Sequence, residues 1–147
     1  MGTPKVQFVV MPRADDGAWR VSACKVVEEA YLQGDRVLVR CGSADQAQII
    51  DELLWRFSDS GFVPHEIAAP GRPGEAPVVL WSDGEPQAEA EVLVNLAADV
   101  PPWYGRFARI VEVLDGDEQR RSAGRARYRF YRAQGIEPQT REFGAGP

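Results

Sequence analysis

The chain has 147 residues and a mass of 16.3 kDa, enough for one ordinary domain with its own core. At 44% hydrophobic and 27% charged residues it reads as a globular chain, neither disordered nor fibrous. A net charge of −5 disfavours a protein that binds nucleic acid over its whole surface. No apolar run approaches the ~18 residues of a membrane span, and MGTPKVQFVV lacks the long apolar segment of a signal peptide. A cytoplasmic protein is the expectation.

In chain order, KVQFVV (5–10) reads as a short apolar strand. Residues 16–33 place Ala23, Val26, Val27, Ala30 and Tyr31 at helical spacing, with Gly34 as a stop. RVLVRC (36–41) is a nearly continuous apolar strand, the pattern of a sheet covered on both faces. Ser43 and Gln46 form a capping-box signature for a helix with Ala47, Ile50, Leu53, Leu54 and Phe57 on one side, ending before Gly61. Strand, helix, strand, helix implies right-handed crossovers and a parallel sheet.

AAPGRPGEA (68–76) is a loop, APVVLW (76–81) a strand, SDGEPQAEAE an acidic connection and VLVNLA (92–97) another strand. The Pro pair in DVPPWYGRF marks a turn, RIVEVLD (109–115) a further strand, and residues 117–134 a last helix stopping at Gly135. The tail, about residues 137–147, reads as loose. With no repeat, linker or low-complexity segment, the expectation is one α/β domain: a three-layer α/β/α arrangement on a mostly parallel, Rossmann-like sheet.

The easily recognised catalytic patterns are absent. There is no phosphate-loop or dinucleotide fingerprint and no nucleophile elbow. The only histidine is His65, and the two cysteines, Cys24 and Cys41, lie in apolar segments as buried free thiols rather than as a C-x-x-C pair. So few soft ligands make a zinc site hard to build. Neither a metal, a cofactor nor a catalytic group is expected. The adjacent acids Glu28-Glu29 and Asp51-Glu52 do not face each other on a helix and read as solvated faces.

Charge is uneven along the chain. Residues 103–135 carry eight arginines and four acids, a local +4 on a remainder of −9. Such a block marks a site for something acidic. On the last helix, Ala123, Ala126, Phe130 and Ala133 fall on one stripe and form the expected buried face. A second stripe carries Arg121, Arg125, Tyr128 and Arg132, spaced by four, three and four, with Arg127 and Tyr131 beside it. Guanidiniums around a phenol suit carboxylates through bidentate contacts, with the ring as an amphipathic platform. Like charges at this spacing repel and cost helix stability, which favours a functional reading.

At these residues the sequence resembles the chi-subunit family of bacterial DNA polymerase III. GRARYRFYRAQG is similar to that family's C-terminal helix, and DELLW (51–55) followed by FVPH (62–65) to its Trp-ended helix and Phe-Val-Pro-His turn. RVLVRC and VLVNL fit as well, so the resemblance spans nearly the whole chain. It implies a nucleotide-binding-like α/β fold with no known catalytic role. It also implies an accessory subunit of the clamp-loader complex, linked to it through a psi subunit. The partner it implies for the basic stripe is the acidic, Phe-ended C-terminal tail of single-stranded DNA-binding protein.

Carried over residue by residue, Arg125 would clamp the tail's terminal carboxylate and Tyr128 would pack on its terminal ring. Arg121 and Arg132 would attract the preceding aspartates, and Leu114 would form an apolar wall. Position 121 is commonly Lys in this family, and Arg keeps the charge but not the geometry. A small anchor with steering charges suits a micromolar, salt-sensitive contact of roughly −8 kcal/mol. No motif assigns residues that contact psi.

Of the remaining aromatic positions, Trp55 and Phe62 read as packing under a loop, His65 as hydrogen-bonded within a turn, and Trp103 and Tyr104 as core at the mouth of the sheet. Two other functions are open to the same sequence. One is direct binding of single-stranded nucleic acid, with Tyr128 and Tyr131 as stacking groups, which the acidic body opposes. The other is a hydrolase or nuclease, for which no constellation of carboxylates or histidines is present.

Overall fold

The structure is a computed structural model and describes residues 3–56 and 62–143. Seven strands form one sheet: β1 (Lys5–Val10), β2 (Val37–Arg40), β3 (His65–Ile67), β4 (Val78–Trp81), β5 (Val92–Asn95), β6 (Arg109–Leu114) and β7 (Gln139–Glu142). Their order is β3-β4-β2-β5-β6-β1-β7, and every neighbouring pair is parallel. The helices are α1 (Asp16–Leu32), α2 (Ala44–Arg56) and α3 (Glu118–Ala133).

The continuous apolar runs of β2, β4 and β5 feed two cores, because each strand has a covered face on both sides. On one side, Ala23, Val27 and Ala30 of α1 and Ala47, Ile50 and Leu54 of α2 pack on Val39, Leu80, Val94 and Val111. On the other, α3 and the 97–107 segment cover Val6, Phe8, Leu38, Leu93 and Ile110. The three layers and the parallel sheet are those expected from the sequence. Cys24 and Cys41 are buried free thiols, and burial pushes both up to about 12.

The helix ends follow from local chemistry. Asp15 caps α1 through Ala18 N–H at 3.0 Å, and Ser43 Oγ accepts from Gln46 N–H at 3.0 Å. The reciprocal bond of that capping box reaches back one residue further, from Gly42 N–H to Gln46 Oε1 at 2.7 Å. Phe57 and Gly61, expected near the end of α2, lie outside the described residues. Gly135 ends α3 with φ +82°, and Ile136 N–H donates to Tyr131 O at 3.0 Å, closing a Schellman turn.

Two strands depart from the sequence reading. Residues 137–143 of the tail are not loose: β7 pairs with β1, Phe143 N–H donates to Val10 O at 2.9 Å, and Arg141 pairs with Glu29 at 3.1 Å. QTRE at a sheet edge needs only backbone partners, so it carries no apolar alternation. Similarly, His65 is not within a turn but begins the three-residue edge strand β3. Its Nδ1 lies 2.6 Å from Val63 O, and its Nε2 lies 3.1 Å from Asp51 O.

Candidate functional site

Strand β6 carries one acid, Glu112, inside an apolar run, and the parallel register sets it between Asn95 of β5 and Phe8 of β1 on the face toward α3. It is fully buried. Arg127 Nε donates to it at 2.9 Å, Tyr131 Oη at 2.7 Å and Asn95 Nδ2 at 3.1 Å. Burial pushes the Glu112 carboxyl up, opposed chiefly by the Arg127 charge and also by these hydrogen bonds. Burial also raises the Tyr131 phenol, and the adjacent Glu112 adds to it. Arg127 Nη1 reaches Ala98 O at 2.9 Å, so the network also ties down the segment after β5.

This network decides which side of α3 faces inward. Gly124, Arg127 and Tyr131 are its buried residues. The expected stripe is therefore wrong: Ala126 and Ala133 are exposed, Phe130 is 38% exposed and only Ala123 is half-buried. A buried carboxylate requires charged and hydrogen-bonding partners, and that requirement overrides the preference of alanine for the interior. Gly124 permits the close approach, since a Cβ there would lie 2.6 Å from Leu114 Cδ1.

The start of α3 is pinned by Asp115, which is fully buried. It accepts from Asp15 N–H and Asp117 N–H at 3.0 Å, from Arg120 Nε at 2.9 Å and from Arg120 Nη2 at 2.8 Å. Burial raises its pKa, but these donors outweigh burial and hold it at about 2. The hydrogen bond to Asp115 in turn raises the Arg120 pKa. Arg120 stacks over the Trp19 ring at 4.5 Å, joining the first turns of α1 and α3.

One residue round from the buried face lies the arginine stripe. Tyr128 is half-buried, with its ring 5.4 Å from Phe8. Arg121 Nε donates to Asp115 O at 3.0 Å. Arg125 Nη2 lies 3.5 Å from Glu118 Oε1, and Arg132 Nε lies 3.6 Å from Glu137 Oε2. Arg125 and Arg132 remain 58% and 55% exposed at the side chain. Leu114 is beneath the helix at Gly124, only 9% exposed. The structure thus brings Arg121, Arg125, Tyr128 and Arg132 onto one face of α3, with Leu114 below them.

Tyr131, offered with Tyr128 as a stacking group, is fully buried on Glu112 and presents no ring to a base. Trp55 and Phe62 also depart from expectation. They are 56% and 58% exposed, with ring centroids 5.1 Å apart, and Trp55 lies 4.7 Å from the His65 ring. They form an aromatic surface cluster rather than packing under a loop. Trp103 and Tyr104 are half-buried at the edge of the core, Trp103 5.7 Å from the Arg40 guanidinium and Tyr104 edge-on to Phe130 at 5.4 Å. The Glu112 network was missed from sequence, although a single Glu within RIVEVL is a visible signal that something must reach it.

Among the described residues, no group of three His, Cys, Asp or Glu side chains could hold a metal ion. No helix among them is long and apolar enough to cross a membrane.

Comparison with solved structures shows the fold alone. The C-terminal domain of the DEAD-box protein Dbp5 matches with TM-score 0.59 at 12% identity, covering 93% of this chain and 90% of that one. The same domain of S. cerevisiae Dbp5, bound to Gle1 and IP6, matches with TM-score 0.61 at 12% identity over the same shares. Sequence comparison is more specific. The family described as DNA polymerase III chi subunit, HolC, matches over residues 3–139. DNA polymerase III subunit chi of Pseudomonas aeruginosa is 35% identical over 131 residues, 89% of this chain and 91% of the relative. The Escherichia coli subunit chi is 30% identical over 114 residues, 77% and 78% of the two chains. That of Haemophilus influenzae is 28% identical over 123 residues, 83% and 85%. With the match running from the first strand into the last, and with relatives aligned over most of their own lengths, the chain belongs to the DNA polymerase III chi-subunit family.

Proposed function

We propose that this chain is a non-catalytic accessory subunit of the replicative polymerase's clamp-loader complex. In this reading it bridges that complex to single-stranded DNA-binding protein by holding the acidic, Phe-ended C-terminal tail on α3. The observation that carries the reading is the surface around Tyr128. Three arginines line up with a half-buried phenol seated on Phe8, on a protein whose net charge is −5. Arg125 clamps the terminal carboxylate, Tyr128 packs on the terminal ring, and Arg121 and Arg132 draw in the preceding aspartates. Leu114, below Gly124, supplies apolar support.

A bridge needs two separate surfaces. Trp55 and Phe62, more than half exposed and stacked on each other, suit the second contact, toward a psi subunit or its equivalent. They lie on α2 and just before β3, on the opposite layer from α3.

The test is fluorescence anisotropy with a labelled acidic peptide ending in Pro-Phe, at two salt concentrations. Binding that requires both the final Phe and Arg125, and that weakens with salt, is the expected result. A wild-type protein that ignores the peptide, or an Arg125→Ala variant that binds it equally well, overturns the reading. Trp55→Ala with Phe62→Ala should leave peptide binding intact and abolish association with the clamp-loader subunits. Tight binding of a single-stranded oligonucleotide by the protein alone would favour direct nucleic-acid recognition instead.

A further inference from the structure

The arginine stripe is bounded at each end by a glutamate of this same chain. Glu118 is in the first turn of α3 and three residues before Arg121, so it extends the stripe itself, and its Oε1 lies 3.5 Å from Arg125 Nη2. Glu137 lies between Ile136 and Pro138, both buried, which turns its carboxylate outward to within 3.6 Å of Arg132 Nε. Two of the three guanidiniums on the stripe therefore face an internal carboxylate. Arg121 differs: its Nε is spent on the Asp115 backbone carbonyl, which fixes the side chain without placing an acid on it.

We infer that Glu118 and Glu137 are internal competitors of an acidic peptide, occupying Arg125 and Arg132 until ligand carboxylates displace them, and so set the affinity and salt sensitivity of the site. This inference rests on the tail-binding reading above. The pairs are exposed, 58% and 86% for Arg125 and Glu118 and 55% and 75% for Arg132 and Glu137, so each is weak and readily exchanged. A ligand must trade one charge-assisted contact for another, which lowers its net gain while keeping both guanidiniums extended along the stripe. Glu118 also lies at a helix N-terminus, where an acid is favourable to the helix itself. Glu137 has no such role, which makes it the cleaner probe.

The experiment measures peptide anisotropy for Glu118→Gln, Glu137→Gln, Arg132→Ala and the Glu137→Gln/Arg132→Ala double variant. Glu89→Gln, an exposed acid of the 82–91 loop, is the charge-matched control. Each of Glu118→Gln and Glu137→Gln should tighten binding about twofold to fivefold at low salt, with the gain shrinking at high salt. The gain from Glu137→Gln should vanish in the Arg132→Ala background. A gain that persists there, or that Glu89→Gln reproduces, would make the effect one of overall charge and overturn the inference. Unchanged or weakened binding in both Gln variants would also overturn it. If the wild-type protein does not bind the peptide at all, the tail-binding reading fails, which is a separate result. Thermal melts of each variant check that the fold is retained.

Discussion

Arg127 Nε meets Glu112 Oε1 at 2.9 Å beneath α3, both side chains almost wholly out of water. The helix that presents arginines to solvent is therefore itself fastened to the sheet by one. A buried pair of this kind is weak evidence of net stability, but breaking it leaves an uncompensated charge. Arg127→Ala should destabilise the protein by about 3–5 kcal/mol in urea unfolding. The Arg127→Met/Glu112→Gln double variant should recover a large part of that loss. Equal losses in the single and double variants would mean that packing, not the stranded carboxylate, sets the cost.

At Gly124, α3 packs directly on Leu114 of β6. In a free helix Ala is preferred to Gly by about 1 kcal/mol. Here the new Cβ would lie 2.6 Å from one Leu114 methyl and 2.9 Å from the other. Gly124→Ala should therefore lose about 1 kcal/mol rather than gain it. Leu114→Ala should cost less in that background than in the wild type. Chemical denaturation of the two single variants and the double variant measures this coupling.

Asp115 makes stability depend on acid pH. Its carboxyl is held at about 2, against an ordinary 3.8. A folded-state pKa below the unfolded value stabilises the protein fully above about pH 4, and this contribution is lost as pH falls toward 2. The shift corresponds to about 2 kcal/mol. Asp115→Asn should lose roughly that amount at pH 7 and flatten the decline in stability between pH 4 and 2. Melting temperatures across that range report both effects. An Asn variant whose acid decline matches the wild type would show that other carboxylates carry it.

The last strand is held by its backbone. Truncation after Pro138 removes the β1–β7 ladder, the Arg141–Glu29 pair and Phe143 N–H to Val10 O. At about 0.5–1.5 kcal/mol for each backbone hydrogen bond, the expected loss is about 2–4 kcal/mol. The exposed edge of β1 should also make the truncated protein prone to self-association, which sedimentation velocity detects.

The sequence by itself determined the layered α/β architecture, the extents of α1 and α3 to within about two residues, and the arginine stripe. Each of these signals is local. Apolar periodicity, the Ser43 cap, and Gly34 and Gly135 act within a few residues of where they stand in the chain. The same locality explains what was not legible. β7 earns its place through backbone pairing with β1 more than a hundred residues away, and QTRE shows nothing of that. The inward face of α3 was decided by tertiary structure, because only the parallel register brings Glu112 under the helix between Asn95 and Phe8. A desolvated carboxylate then demands Arg127 and Tyr131, whatever alanine prefers. Arg127, drawn beneath α3, thus decides which of the helix's arginines stay at the surface.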